Sequence, residues 1–144
     1  MAKVNKIQQR YEFVGRERDL EAHIVENIHD IASACGWGDI IRIEEQFTVQ
    51  LVGQRVIADV MLWHSDGTGT LIECKTGKTN RNDLLMGIGQ VLFYGANLQA
   101  ALGCMPRLVI ASPYISPYVN DTIRTFNLPI CLLGVDGDQC TYIS

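Results

Sequence analysis

Asp59, Glu73 and Lys75 are ionisable residues set inside stretches that are otherwise apolar, Val56 to Trp63 and Thr70 to Lys75. Burying one charge in such surroundings costs several kcal/mol unless something pairs with it. Both stretches read as β-strands. Glu73 and Lys75 are two apart and share a face, with Cys74 on the other; Asp59 is expected on the face opposite Ala58 and Val60. A turn at 65–69 that pairs the two strands puts Asp59 beside Glu73. Two carboxylates that close repel each other unless a cation lies between them. Mg²⁺ suits the place, because it takes one or two carboxylates and keeps the rest of its shell for water and phosphate oxygens. Lys75 on the same face is then placed to orient or deprotonate an attacking water, or to stabilise charge on a phosphate. The competing explanation is a salt bridge in which Lys75 neutralises Glu73.

The elements that must hold these residues follow from periodicity. Leu20, Ile24, Ile28 and Ile31 recur at helical spacing, which predicts one helix over 16–34, ended by Cys35-Gly-Trp-Gly38. Residues 46–52 and 55–63 read as a hairpin, and 70–75 as the strand that follows the turn. A second helix is expected over 81–102, apolar on most faces, with Gly87, Gly89 and Gly95 allowing close packing on a sheet. A strand at 107–112, a helix at 118–126, a strand at 129–133 and a terminal edge strand at 140–143 complete the chain. The fold class is α/β, a mixed sheet flanked by helices in the order α-β-β-β-α-β-α-β. Its first three strands form an antiparallel meander and its later helices make crossovers.

At 144 residues the chain suits a single domain (1–144), with residues 1–14 as an irregular arm. No apolar run reaches the ~20 residues of a membrane span and the N-terminus lacks a signal-peptide core, so a soluble cytoplasmic protein without a membrane partner is expected. The five cysteines lack CxxC spacing, which argues against zinc or a disulfide framework and for small buried side chains. His23, His29 and His64 share no metal-ligand spacing. The net charge of −4 weighs against non-specific coating of nucleic acid. Basic residues are concentrated instead: Arg16 and Arg18 lie in a basic N-terminal group, and Lys78 and Arg81 follow the central motif.

Asp59 followed by Glu73-Cys74-Lys75 resembles the active-site signature of the PD-(D/E)XK nuclease superfamily, with Ala58 where a proline commonly precedes the aspartate. Gln90-Val-Leu-Phe-Tyr94 on the second helix is similar to the Gln-x-x-x-Tyr motif of RecB-type and NucS-like members. Glu17-Arg-Asp-Leu20 is similar to the start of their first helix. The resemblance spans about 16–112, the catalytic core it implies, with a restriction-endonuclease-like fold. It implies Asp59, Glu73 and Glu17 as metal-site carboxylates, and Lys75 and Gln90 as further catalytic residues. Glu21 and Glu26 compete with Glu17 for the helix position. Tyr94, Lys78, Arg81, Arg16 and Arg18 are the expected DNA contacts. The activity implied is Mg²⁺-dependent phosphodiester hydrolysis in DNA by an endonuclease, with Mn²⁺ able to substitute. A structure-specific or repair-type enzyme ranks above a sequence-specific homing or restriction-type one. A homodimer would supply a second active site. The alternative from another class is a non-catalytic nucleic-acid-binding or assembly module with the same fold.

Overall fold

The computed structural model describes residues 17–51, 54–76, 81–137 and 139–144. Arg16 and Lys78 therefore lie outside the described residues, as does the arm expected over 1–14. The elements are α1 (Glu17–Glu26), α2 (Ile28–Cys35), β1 (Ile40–Leu51), β2 (Gln54–His64), β3 (Gly69–Cys74), α3 (Arg81–Leu102), β4 (Arg107–Ser112), α4 (Pro117–Thr125), β5 (Ile130–Asp136) and β6 (Gln139–Ile143). The six strands form one sheet in sequence order. β1, β2 and β3 make the expected antiparallel meander. α3 and α4 return the chain so that β3, β4 and β5 run parallel, and β6 closes the far edge antiparallel to β5.

The sheet separates two cores. On one face Leu20, Ile24, Ile28 and Ile31 of α1 and α2 pack with Val60, Leu62, Ile72, Cys74 and Val109. On the other, Leu84, Ile88, Val91 and Leu98 of α3 and Ile123 of α4 pack with Met61, Leu71, Leu108 and Ile110. β3 is buried along its whole length, as a strand covered on both faces must be. α3 lies close on β4 because Gly95 has no side chain: a Cβ there would come within 2.8 Å of Leu108 Cδ1. Gly89 does not share that role, since nothing lies within 4 Å of its missing Cβ.

Several expected boundaries move, each for a local reason. The first helix is two, broken at Asn27, whose side chain donates to the His23 carbonyl at 2.9 Å. Asparagine offers the backbone such an alternative, and the apolar stripe runs on across the break. Gly36 ends α2 in the left-handed region at φ 74°, and the Trp37 N–H closes back on the Ala32 carbonyl at 2.9 Å, as the Cys35-Gly pair predicts. β1 begins at Ile40, six residues before its expected start, and pairs with β2 out to His64. Of the cysteines only Cys74 is fully buried; Cys104 is exposed, and all five are free.

The strict alternation expected around Asp59 also fails. Ala58 belongs to the α3-side core and Val60 to the α1-side core, so their side chains leave on opposite faces. The cause faces Asp59 across the hairpin: Gln46 has φ 51°, and the register passes from Glu45↔Val60 to Phe47↔Ala58 around it. The inversion thus adds no extra residue to either strand and coincides with the left-handed Gln46. Among the described residues no helix is long and apolar enough to cross a membrane.

Candidate active site

β2 and β3 place the two carboxylates. Their register runs through Met61↔Leu71 and Val60↔Ile72, so the next step sets Asp59 opposite Glu73. Asp59 Oδ2 accepts the Cys74 N–H at 2.7 Å, which ties its carboxylate to the backbone between Glu73 and Lys75. Glu73 is 4% exposed, and its Oε2 is buried without a hydrogen-bond partner. Burial first, and the Asp59 charge second, push the Glu73 carboxyl up to about 8.

Lys75 sits one residue past β3, anchored by its N–H on the Ala111 carbonyl at 2.8 Å. Its Nζ lies 3.7 Å from Glu17 Oε1, 4.0 Å from Glu73 Oε1 and 4.0 Å from Asp83 Oδ1. One carboxylate thus comes from each of α1, β3 and α3. The aliphatic stem runs beneath α3, where a Cβ on Gly87 would stand 3.3 Å from Lys75 Cγ.

Gln90 and Tyr94 lie one and two turns farther along the same side of α3. The Gln90 amide meets the Tyr94 hydroxyl, and Gln90 Oε1 is buried without a partner. Burial, then the Glu73 and Asp59 charges, raise the Tyr94 pKa. The ring of Tyr94 is core packing, so of the two contacts open to it, stacking or hydrogen bonding, its hydroxyl serves the second. Tyr94 is 7% exposed within the α3-side core, leaving its hydroxyl as the part that faces the site.

α1 supplies two acids one turn apart. Glu17 reaches Lys75 with its side chain 43% exposed. Glu21 accepts from Gln46 Nε2 at 2.6 Å. Both carboxyls are raised chiefly by burial, and for Glu21 the next cause is the Asp59 charge. Glu17 belongs to the Lys75 side of the cluster and Glu21 to the Asp59 side. Glu26 is exposed at the end of α1, outside the site. Arg18 is exposed on α1, and Arg81 is the first residue of α3.

Sequence reasoning missed Asp83 and Gln46. Asp83 could have been found by extending the Gln90–Tyr94 stripe backwards, since 83, 87, 90 and 94 share one helix face. Gln46 carries no such signal, because nothing in its neighbours announces a left-handed residue.

Among the described residues no three His, Cys, Asp or Glu side chains form a ready-made cage for an ion. The donors still fit Mg²⁺. They are hard oxygens, Glu73 Oε2 and Gln90 Oε1 are buried without partners, and Mg²⁺ needs only one or two carboxylates with water completing its shell.

No known family's sequence pattern matches the chain, and no curated protein matches it. The fold is restriction-endonuclease-like, with a six-stranded mixed sheet flanked by four helices among the described residues. It superimposes on the crystal structure of a repair endonuclease from Pyrococcus abyssi with a TM-score of 0.62 at 17% identity, over 84% of this chain and 47% of that one. The chain thus spans about half the length of that structure. A protein of unknown function from Silicibacter pomeroyi matches over 70% of this chain and 56% of its own, with 21% identity and a TM-score of 0.41.

Proposed function

We propose that the chain is a Mg²⁺-dependent DNA endonuclease that hydrolyses phosphodiester bonds at the Asp59/Glu73 pair. The observation that carries this reading is the buried, unpartnered Glu73 Oε2, held opposite an Asp59 carboxylate fixed on the Cys74 N–H. A structural salt bridge would leave no such orphan, because a buried polar atom without a partner costs about 1–3 kcal/mol. In this reading Asp59 and Glu73 hold the ion, with Glu17 or Glu21 adding a carboxylate from α1. When bound, Mg²⁺ supplies Lewis-acid stabilisation of phosphate charge and lowers the pKa of water.

The chain's own groups do the rest. Lys75 presents its ammonium to the phosphate and to the attacking water. Gln90, with its amide fixed against Tyr94, offers Oε1 to orient a water. The backbone clamp on Asp59 holds that carboxylate in one rotamer and limits reorganisation when substrate arrives. The endonuclease fold that the chain shares with the Pyrococcus abyssi repair enzyme supports DNA as the substrate. A repair-type or structure-specific enzyme ranks first. A homodimer and a cytoplasmic location belong to the same proposal.

Calorimetry with Mn²⁺ tests the metal site apart from turnover. Wild type should bind the ion and Glu73→Gln should bind it at least ~10-fold more weakly. Equal binding by both would refute the site and favour the non-catalytic module. Single-stranded, duplex, flapped and four-way-junction DNA, compared side by side with Mg²⁺, then ranks the substrates, with Lys75→Ala as the inactive control.

A further inference from the structure

Lys75 has a partner that lies outside the Asp…Glu-x-Lys and Gln-x-x-x-Tyr patterns. Its side chain is 8% exposed, and its Nζ stands 3.7–4.0 Å from three carboxylates. None of these distances closes a direct N–H···O bond, which needs about 2.7–3.2 Å. The ammonium, with its three donors, rests between three acceptors instead of on one of them. Glu73 belongs to the metal-binding set of the proposed reading, and Glu17 is one of its two candidates from α1. Asp83, in the first turn of α3, is not in that set.

A divalent ion at Asp59 and Glu73 would change the balance around Lys75. Glu73 would turn its charge to the ion, and the ion's own charge would repel the ammonium. Of the two remaining carboxylates, Asp83 is the better shielded, with 22% of its side chain exposed against 43% for Glu17. Solvent and salt therefore screen the Asp83 pair less. Asp83 also rides on the element that packs over the lysine stem at Gly87, one turn along the same stripe. The geometry points to Asp83 as a positioning residue for Lys75, the carboxylate that keeps the ammonium aimed into the site once a cation engages Asp59 and Glu73. This deepens the nuclease reading and rests on it for one arm of its test.

The other arm needs neither metal nor turnover. In EDTA, acetic anhydride labelling followed by mass spectrometry reads how firmly each lysine ammonium is held. Asp83→Asn should release the Lys75 side chain from its buried seat and so speed labelling there several-fold, leaving the other lysines unchanged, and Asp83→Glu should restore the slow rate. With Mg²⁺, Asp83→Asn should lower kcat about 10-fold or more while the KM for DNA stays within about 2-fold. A helix-terminal aspartate with only a structural role would lower the melting temperature and move neither readout. Unchanged Lys75 labelling overturns the assignment. So does a kcat recovered by saturating metal together with weakened Mn²⁺ binding, which would make Asp83 a ligand. If wild type cleaves no DNA, the nuclease reading fails, and the labelling arm alone decides whether Asp83 holds Lys75.

Discussion

Glu73 lies buried opposite Asp59, where burial and then the neighbouring charge disfavour its own ionised form. The folded chain holds a proton on Glu73 up to about pH 8, whereas the unfolded chain releases it near 4.5. The sign follows from linkage: the native state binds more protons across that window, so the stabilisation is complete below about 4.5 and lost as pH rises through 8. In EDTA, thermal melts of wild type should therefore lose stability between pH 5 and 8, and Glu73→Gln should remove most of that loss. A wild-type melting curve that rises across the same range would contradict the buried-acid assignment. The charges themselves were legible from residue types, because polar groups inside apolar strands must be paired. Asp83 was not, since its meaning depends on α3 lying over Lys75, a tertiary fact.

At the scale of elements, the period-two pattern was enough to bring Glu73 and Lys75 to one face and to pair β2 with β3. It failed at Asp59, where the chain needs a local inversion. Gln46, at φ 51°, supplies it from the neighbouring strand and then donates its side-chain amide to Glu21. A non-glycine residue at positive φ stores about 1–3 kcal/mol and persists only where its surroundings hold it. Gln46→Val should therefore cost about 1–3 kcal/mol in urea unfolding, because a β-branched side chain fits that backbone poorly. Neutral behaviour would show that the strand can relax to regular alternation. The split between α1 and α2 escaped sequence reading for a different reason. Leu20, Ile24, Ile28 and Ile31 keep helical spacing through Asn27, so the stripe conceals the break.

Across the whole molecule, the alternation of helices with apolar strands was sufficient to specify a mixed sheet between two helical layers. Strand order, parallel crossovers and the edge position of β6 all follow from short connections and right-handed packing. The sheet acts as a partition. One core fixes α1, which brings Glu17 and Glu21 to the end of the sheet; the other fixes α3, which brings Asp83, Gln90 and Tyr94. The site exists only where both layers meet β2 and β3, so no single segment contains it. Sequence reading could locate the strand residues and name helix candidates, but it could not say which helix acids reach which strand charge.

The most direct measurement of the central claim is strand cleavage under Mg²⁺ by wild type and by Asp59→Asn, with parallel reactions in EDTA. Asp59→Asn removes the charge while keeping an oxygen that can accept the Cys74 N–H. Wild type should cleave only with metal, and Asp59→Asn should lose at least ~100-fold while melting in EDTA no lower than wild type. Cleavage that persists in EDTA, or that survives in Asp59→Asn at the wild-type rate, would contradict that claim.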